Sequence, residues 1–202
     1  MTSRTRISIT LALGCLWSIS LVFGLRTLVS YESTPGKVGR VPESWPADSK
    51  IALGTDTDTL IMLAHPFCPC TRASVGELAE IIARAPGKLR SYVLFLKPEN
   101  SGSDWDDTDL RKAAAAIPGV TVVSDLDGSE ARRFGAETSG YTLLFNPQGQ
   151  RLFGGGITAS RGHAGGNSGK SAIVALVNGQ PAAQDSSFVF GCALNSTRDA
   201  TK

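Results

Sequence analysis

A chain of 202 residues, 42% hydrophobic and 19% charged, is long enough for one domain with a filled core plus an appendage, and its composition is that of a folded protein. A net charge of +2 with no basic stripe gives no reason to expect a nucleic-acid partner. The four cysteines, Cys15, Cys68, Cys70 and Cys192, are too few and too irregularly spaced for a disulfide-stapled secreted scaffold.

The first six residues are polar and carry Arg4 and Arg6; residues 7–25 (ISITLALGCLWSISLVFGL) then run without a charge. About 20 apolar residues of helix cross a bilayer core. Basic residues favour the cytoplasmic side, so Arg4 and Arg6 predict a single-pass signal-anchor over residues 1–30 with the rest of the chain outside, and Arg26 and Lys37 weaken that signal without reversing it. The expected location is the cytoplasmic (inner) membrane, with the domain facing the periplasm. A cleaved signal peptide would need an A-x-A-like site, which is missing here. Lipoprotein processing at Cys15 fits poorly, because the apolar run continues past it. Residues 31–50, with Pro35, Pro42 and Pro46 among small polar residues, read as a semi-extended linker.

From residue 51 onward the pattern alternates. A short apolar run at 59–65 (TLIMLAH) has a strand's length, and 71–84 (TRASVGELAEIIAR) spaces Val75, Leu78, Ala79 and Ile82 as a helix does. Pro86 and Gly87 stop it. A buried strand is expected at 91–96, then a helix over 106–117 with Asp106, Asp107 and Asp109 near its positive end. A strand at 120–124 and a short helix at 129–134 come next. Two runs at 142–145 and 150–153 flank Asn146-Pro147-Gln148-Gly149 as a hairpin, and the last helix is expected at 171–177. This order implies an α/β domain over 51–194: a mostly parallel sheet with helices on both faces and an antiparallel hairpin at its edge. Residues 195–202 read as a polar, disordered tail.

Cys68 and Cys70 fall where the first strong strand gives way to its helix. Catalysis in such sheets gathers at the carboxyl ends of strands. A thiol at a helix N-terminus meets unpaired N–H groups and the positive end of the dipole, both of which favour the reactive thiolate. Pro69 removes a backbone donor and stiffens the approach. Strand, Cys-Pro-Cys, helix and a later hairpin resemble the thioredoxin superfamily, over roughly residues 51–177. The stretches 65–74 (HPFCPCTRAS) and 153–163 (FGGGITASRGH) narrow the likeness to membrane-anchored, RedB-type redoxin-like proteins.

The resemblance implies a thioredoxin-like fold, a mixed central sheet flanked by helices, and a redox activity in which Cys68 is the nucleophile and Cys70 resolves. Two departures stand beside it. One residue separates the cysteines instead of two, and the place where thioredoxins carry a cis-proline facing the thiols falls at Gly140 or Tyr141, with no proline available.

Three chemistries are open to the cysteine pair. The thiols cycle between dithiol and disulfide, a one-residue bridge being strained and easily reduced. Alternatively the thiolates bind a soft metal such as Cu(I), or Cys68 alone attacks a peroxide, Cys-Pro-Cys-Thr being similar to the Cys-Pro-Thr of peroxiredoxins. A buried, inert pair is the bland alternative, against which polar Thr71 and Arg72 argue for access.

The second hairpin strand returns to the thiol end, so the glycine-rich loop 157–169, with Arg161 and His163, is expected near Cys68. His163 is a candidate metal ligand or proton donor, as in the architecturally similar Sco-type copper chaperones; His65 is the other histidine. Residues 164–171 fit the loosest phosphate-loop pattern, but they come after an edge hairpin rather than a buried strand, so no nucleotide is expected and Asn167 or Ser168 is read as a helix cap. Cys192, in the apolar run 188–192, reads either as a buried small residue covering a sheet edge or as a resolving thiol. The sum is an anchored extracytoplasmic thiol–disulfide oxidoreductase with no cofactor, acting on a protein dithiol or disulfide. The alternative is a copper-binding or copper-delivery protein that uses Cys68, Cys70 and His163 toward a metalloprotein partner.

Overall fold

The computed structural model describes residues 3–194; the expected tail at 195–202 lies outside them. Contacts divide the chain into two compact units, residues 1–34 and 35–202.

The first unit is one helix, α1 (Ser3–Ser33). Over Ile7–Ser33 its mean hydropathy reaches 2.0 with none of that window buried, so it is long and apolar enough to cross a membrane. Its apolar side chains, among them Leu16, Trp17 and Phe23, are all exposed, and apolar residues run round it as in a spanning helix. The hydroxyls of Ser18, Ser20 and Thr27 each bond the carbonyl four residues back, which satisfies them inside the helix. The helix ends three residues beyond the expected anchor.

Among its described residues the second unit holds nine elements: β1 (Asp58–Ala64), α2 (Thr71–Arg84), β2 (Leu89–Lys97), α3 (Asp109–Ala115), β3 (Val120–Leu126), α4 (Ser129–Arg133), β4 (Tyr141–Phe145), β5 (Arg151–Gly155) and α5 (Ser168–Val177). They form one five-stranded sheet in the order β3-β2-β1-β4-β5. β1 pairs in parallel with β2, and β2 with β3, whereas β4 is antiparallel to both β1 and β5. The sheet is therefore evenly mixed rather than mostly parallel, because the chain returns through β4 on the other side of β1.

Two successive right-handed crossovers in one direction place α2 and α3 on the same face. There Leu60, Met62, Val93, Phe95 and Leu144 meet Leu78, Leu110 and Ile173 of α2, α3 and α5. Side-chain alternation turns Ile61, Leu63, Leu94, Leu143 and Phe145 to the opposite face. That face is covered by Ala131 of α4, Phe134 and the chain end at Val189 and Leu194.

Residues 35–50 are not a free linker. They lie along that second face through Gly36 N–H to Val189 O (2.8 Å), Trp45 N–H to Gly149 O (2.7 Å) and Arg151 N–H to Glu43 O (2.9 Å). Trp45 packs edge-on to Phe134 and Phe145, both at 5.2 Å, contacts worth about 0.5–1.5 kcal/mol each beyond area burial. The prolines suit an extended strap whose backbone groups bond to one side only.

The helix expected from residue 106 begins at Asp109, with the Thr108 hydroxyl accepting Arg111 N–H. Asp106 lies ahead of it as a buried hub taking Lys97 (2.8 Å), Arg111 (2.8 Å) and the Ser124 hydroxyl (2.6 Å); burial opposes its ionisation, but those donors prevail and its carboxyl stays below the ordinary range. α5 starts earlier than expected, capped by Asn167, which accepts Lys170 N–H at 2.7 Å.

Candidate active site

β1 is buried along its length and ends at Ala64, so His65 and the cysteine turn are delivered to the carboxyl end of the sheet, at its centre. The backbone then winds in overlapping turns: Cys68 N–H to His65 O (3.1 Å), Thr71 N–H to Cys68 O (3.2 Å), Arg72 N–H to Pro69 O (3.3 Å) and Ala73 N–H to Cys70 O (3.2 Å). Cys70 is the residue before α2 and already has helical angles, φ −66° and ψ −32°. Pro69 suits this entry, where a missing N–H leaves no bond unmade.

Both sulfurs are buried: Cys68 is 2% and Cys70 7% exposed. This corrects the expectation of an open pair. Thr71, taken from the sequence as a sign of access, is itself fully buried, while Arg72 is exposed. Cys68 is approached through a groove of about 260 Å³ lined by Pro66, Phe67, Pro69, Arg72 and Leu110. Exposed Phe67 forms its rim, packed edge-on to Trp105 at 4.9 Å.

Cys192 sits on the Cys68 sulfur. Its N–H donates to Cys68 Sγ at 3.4 Å. Hydrogen bonding from the Cys192 thiol, with the Thr71 hydroxyl and both residues' N–H groups adding to it, outweighs burial and lowers the Cys68 thiol from 9.0 to about 4. The other two thiols move the opposite way. Cys192 is raised first by its bond to Cys68, then by burial and by the nearby charge of Cys68. Cys70 is raised by burial and by Cys68, against the pull of the Arg161 cation. These contacts favour the thiolate at Cys68 and the protonated thiol at Cys70 and Cys192. All three are free of disulfides.

A hydroxyl relay supports the thiolate from behind. His65 N–H donates to Ser139 Oγ at 2.7 Å, and Ser139 Oγ lies 2.6 Å from Thr71 Oγ1. The Thr71 hydroxyl also hydrogen-bonds Cys68. No sequence motif marks Ser139. It precedes β4, and its hydroxyl meets Thr71 and the His65 N–H, while Gly140 and Tyr141 pair with Leu63. The His65 ring accepts Phe67 N–H at Nδ1 (3.2 Å) and stacks with Phe67 and Trp105, so it shapes the turn.

The loop after β5 does reach this end of the sheet. Half-buried Arg161 bonds the Gly191 carbonyl and lies by the Cys70 thiol. The loop is moored to α2 by Glu77, which accepts Gly165 N–H and pairs with Lys170, while Lys170 also reaches Glu80 at 2.8 Å. Lys170 is thereby committed to carboxylates rather than presented to a phosphate. His163 is exposed, and its Nδ1 bonds the Arg161 carbonyl at 2.9 Å, within its own turn and not at either thiol. Among the described residues no three His, Cys, Asp or Glu side chains gather as donors for a metal ion. His163 therefore does not gather with Cys68 and Cys70.

No protein-family model matches the sequence, and no curated protein does. Solved structures do match. An uncharacterized conserved protein of Geobacillus kaustophilus aligns over 82% of this chain and 93% of its own, at 18% identity and a TM-score of 0.59. A hypothetical protein of Sinorhizobium meliloti aligns over 82% and 98%, at 17% identity and a TM-score of 0.58. A secreted disulfide oxidoreductase of Mycobacterium tuberculosis overlaps 48% of this chain and 67% of its own, with 13% identity and a TM-score of 0.39, too partial an overlap to argue from. The sheet order, the helices on both faces and the loop between β1 and α2 decide the fold. It is thioredoxin-like. In this thioredoxin-like domain no peptide bond among the described residues is cis.

Proposed function

We propose that this protein is a membrane-anchored, extracytoplasmic thiol–disulfide oxidoreductase of the RedB type. Cys68 is its nucleophile, and a dithiol or disulfide of another protein is its substrate. The observation that carries this reading is the stabilised Cys68 sulfur, which takes donors from Cys192 and Thr71 and is lowered to about 4. A thiolate is the attacking species in disulfide exchange, and an inert structural cysteine in an apolar core is raised instead. The apolar helix over Ile7–Ser33, with Arg4 and Arg6 before it, supports an anchor with the domain outside.

Because a stabilised thiolate favours the reduced form, the disulfide is expected to be oxidising, with a potential above thioredoxin's value of about −270 mV. Equilibration of the detergent-solubilised full chain in glutathione redox buffers measures it. A defined two-electron potential, lost in Cys68→Ser, is the expected result. A protein that exchanges with no dithiol or disulfide at any buffer ratio overturns the reading. Labelling of Cys192 by a membrane-impermeant thiol reagent, in intact cells first treated with a dithiol reductant, tests the orientation, and protection of that thiol until the membrane is opened reverses it.

A further inference from the structure

We propose that the working disulfide of this site joins Cys68 to Cys192, so that Cys192, and not Cys70, is the resolving thiol. The proposal rests on the oxidoreductase reading above and names the second half of its chemistry.

The placement of Cys192 is enforced by backbone structure. Ser139 N–H donates to Cys192 O at 2.8 Å, Leu194 N–H to Glu137 O at 2.9 Å, and Thr138 bridges Ala193 in antiparallel fashion. Arg161 fastens the preceding carbonyl, at Gly191. Gly191 is required there, because a Cβ would meet Ser139 O at 2.0 Å. These bonds hold the Cys192 N–H against the Cys68 sulfur and leave Cys192 only half-buried. Cys70, by contrast, lies in the winding turn before α2. Bridging it to Cys68 would close a small ring round Pro69, whose φ is fixed, and would disturb the first turn of the helix.

In the direction that reduces a partner, the Cys68 thiolate attacks one sulfur of a partner disulfide R–S–S–R′. The S–S bond breaks, Cys68–S–S–R forms and R′S⁻ leaves. Once Cys68 has lost its charge, the main cause holding the proton on Cys192 is gone, and that proton passes to R′S⁻. The Cys192 thiolate attacks Cys68 Sγ, the bond to R breaks, Cys68–Cys192 forms and RS⁻ departs to be protonated by water. The partner disulfide gains two electrons and becomes two thiols; the protein dithiol loses two and becomes a disulfide.

The test uses the full chain in detergent with Cys15→Ser, so that the anchor thiol does not react, and one equivalent of the aromatic disulfide dithionitrobenzoate. Both halves of the reagent should be released, and non-reducing peptide mapping should find the peptide of Cys192 joined to Cys68 with Cys70 free. In Cys192→Ser, and equally in Cys192→Ala, the first half should leave and the second should stay on Cys68, its release at least about tenfold slower. A mapped Cys68–Cys70 bridge in the parent protein overturns the proposal, as does full second release in both Cys192 variants; the oxidoreductase reading would survive either result. If the parent releases neither half, that reading falls too.

Discussion

The Cys-Pro-Cys turn and the segment around Cys192 meet at one sulfur but are held by different kinds of structure. The turn is local. β1 feeds it, α2 leaves it, and each of its backbone-to-backbone bonds spans only a few residues. The Cys192 segment belongs to no helix or strand of the sheet, and is held by residues 137–139 and Arg161, far from it in sequence. The turn supplies a sulfur at the right place in the fold, and the segment supplies much of what ionises it. The difference teaches that the site's identity and its chemical tuning are separable, and substitutions should separate them.

The largest effect is expected at the turn. Cys68→Ser should lower the rate of disulfide exchange by about a thousandfold or more, as loss of a nucleophile does, with unchanged circular dichroism as the control. Next in size is the mooring of the glycine-rich loop. Lys170→Met leaves buried Glu77 without its cation and should cost about 3 kcal/mol in urea unfolding, the lower end for a broken buried pair, because Glu80 on its outer side stays hydrated. The Cys68 titration, read from thiolate ultraviolet absorbance, should remain near 4 in that variant; if it moves, the loop and the Cys192 segment are one unit.

Gly191→Val strikes the segment alone. Overpacking against Ser139 should cost about 1–3 kcal/mol, and the Cys68 midpoint should climb from about 4 toward the ordinary thiol value of about 8.5. A midpoint that stays near 4 would show that the turn by itself ionises the sulfur. Thr71→Val removes one donor and should move the disulfide potential in the reducing direction by about 30 mV, the equivalent of roughly 1.4 kcal/mol.

The pH dependence has a definite sign. Since folding lowers Cys68 from 9.0 to about 4, its contribution to stability is complete above pH about 9 and vanishes as pH falls through about 4. The Tm advantage of the reduced protein over Cys68→Ser should therefore grow with pH across that window. The raised thiols of Cys70 and Cys192 should flatten the gain at its alkaline end.

Much of the fold was legible because it depends on local pattern. A single uncharged run of bilayer-spanning length satisfies its own backbone groups as a helix, and periodicity separated α2 from β1 and β2. The position of Cys68 and Cys70 between β1 and α2 came from the same signals. The site was harder to read. Thr71 looked like a mark of exposure because a polar residue beside a thiol carries no record of which way it faces. Ser139 had no motif; the nearest signal was its place just before β4. His163 was brought to the correct end of the sheet, but its ring turned into its own loop.

By itself, the sequence determined the apolar N-terminal helix, the order of strands and helices, and the thiol pair at the junction of β1 and α2, since short-range sterics, hydrogen bonding and hydrophobic periodicity act within a few residues. Only the tertiary structure decided that residues 35–50 strap the sheet, that Asp106 is a buried hub rather than a helix start, and that Cys192 rests on Cys68. Those contacts join residues dozens to more than a hundred positions apart, and they arise from matching of surfaces and backbone donors that exists only once the sheet has formed.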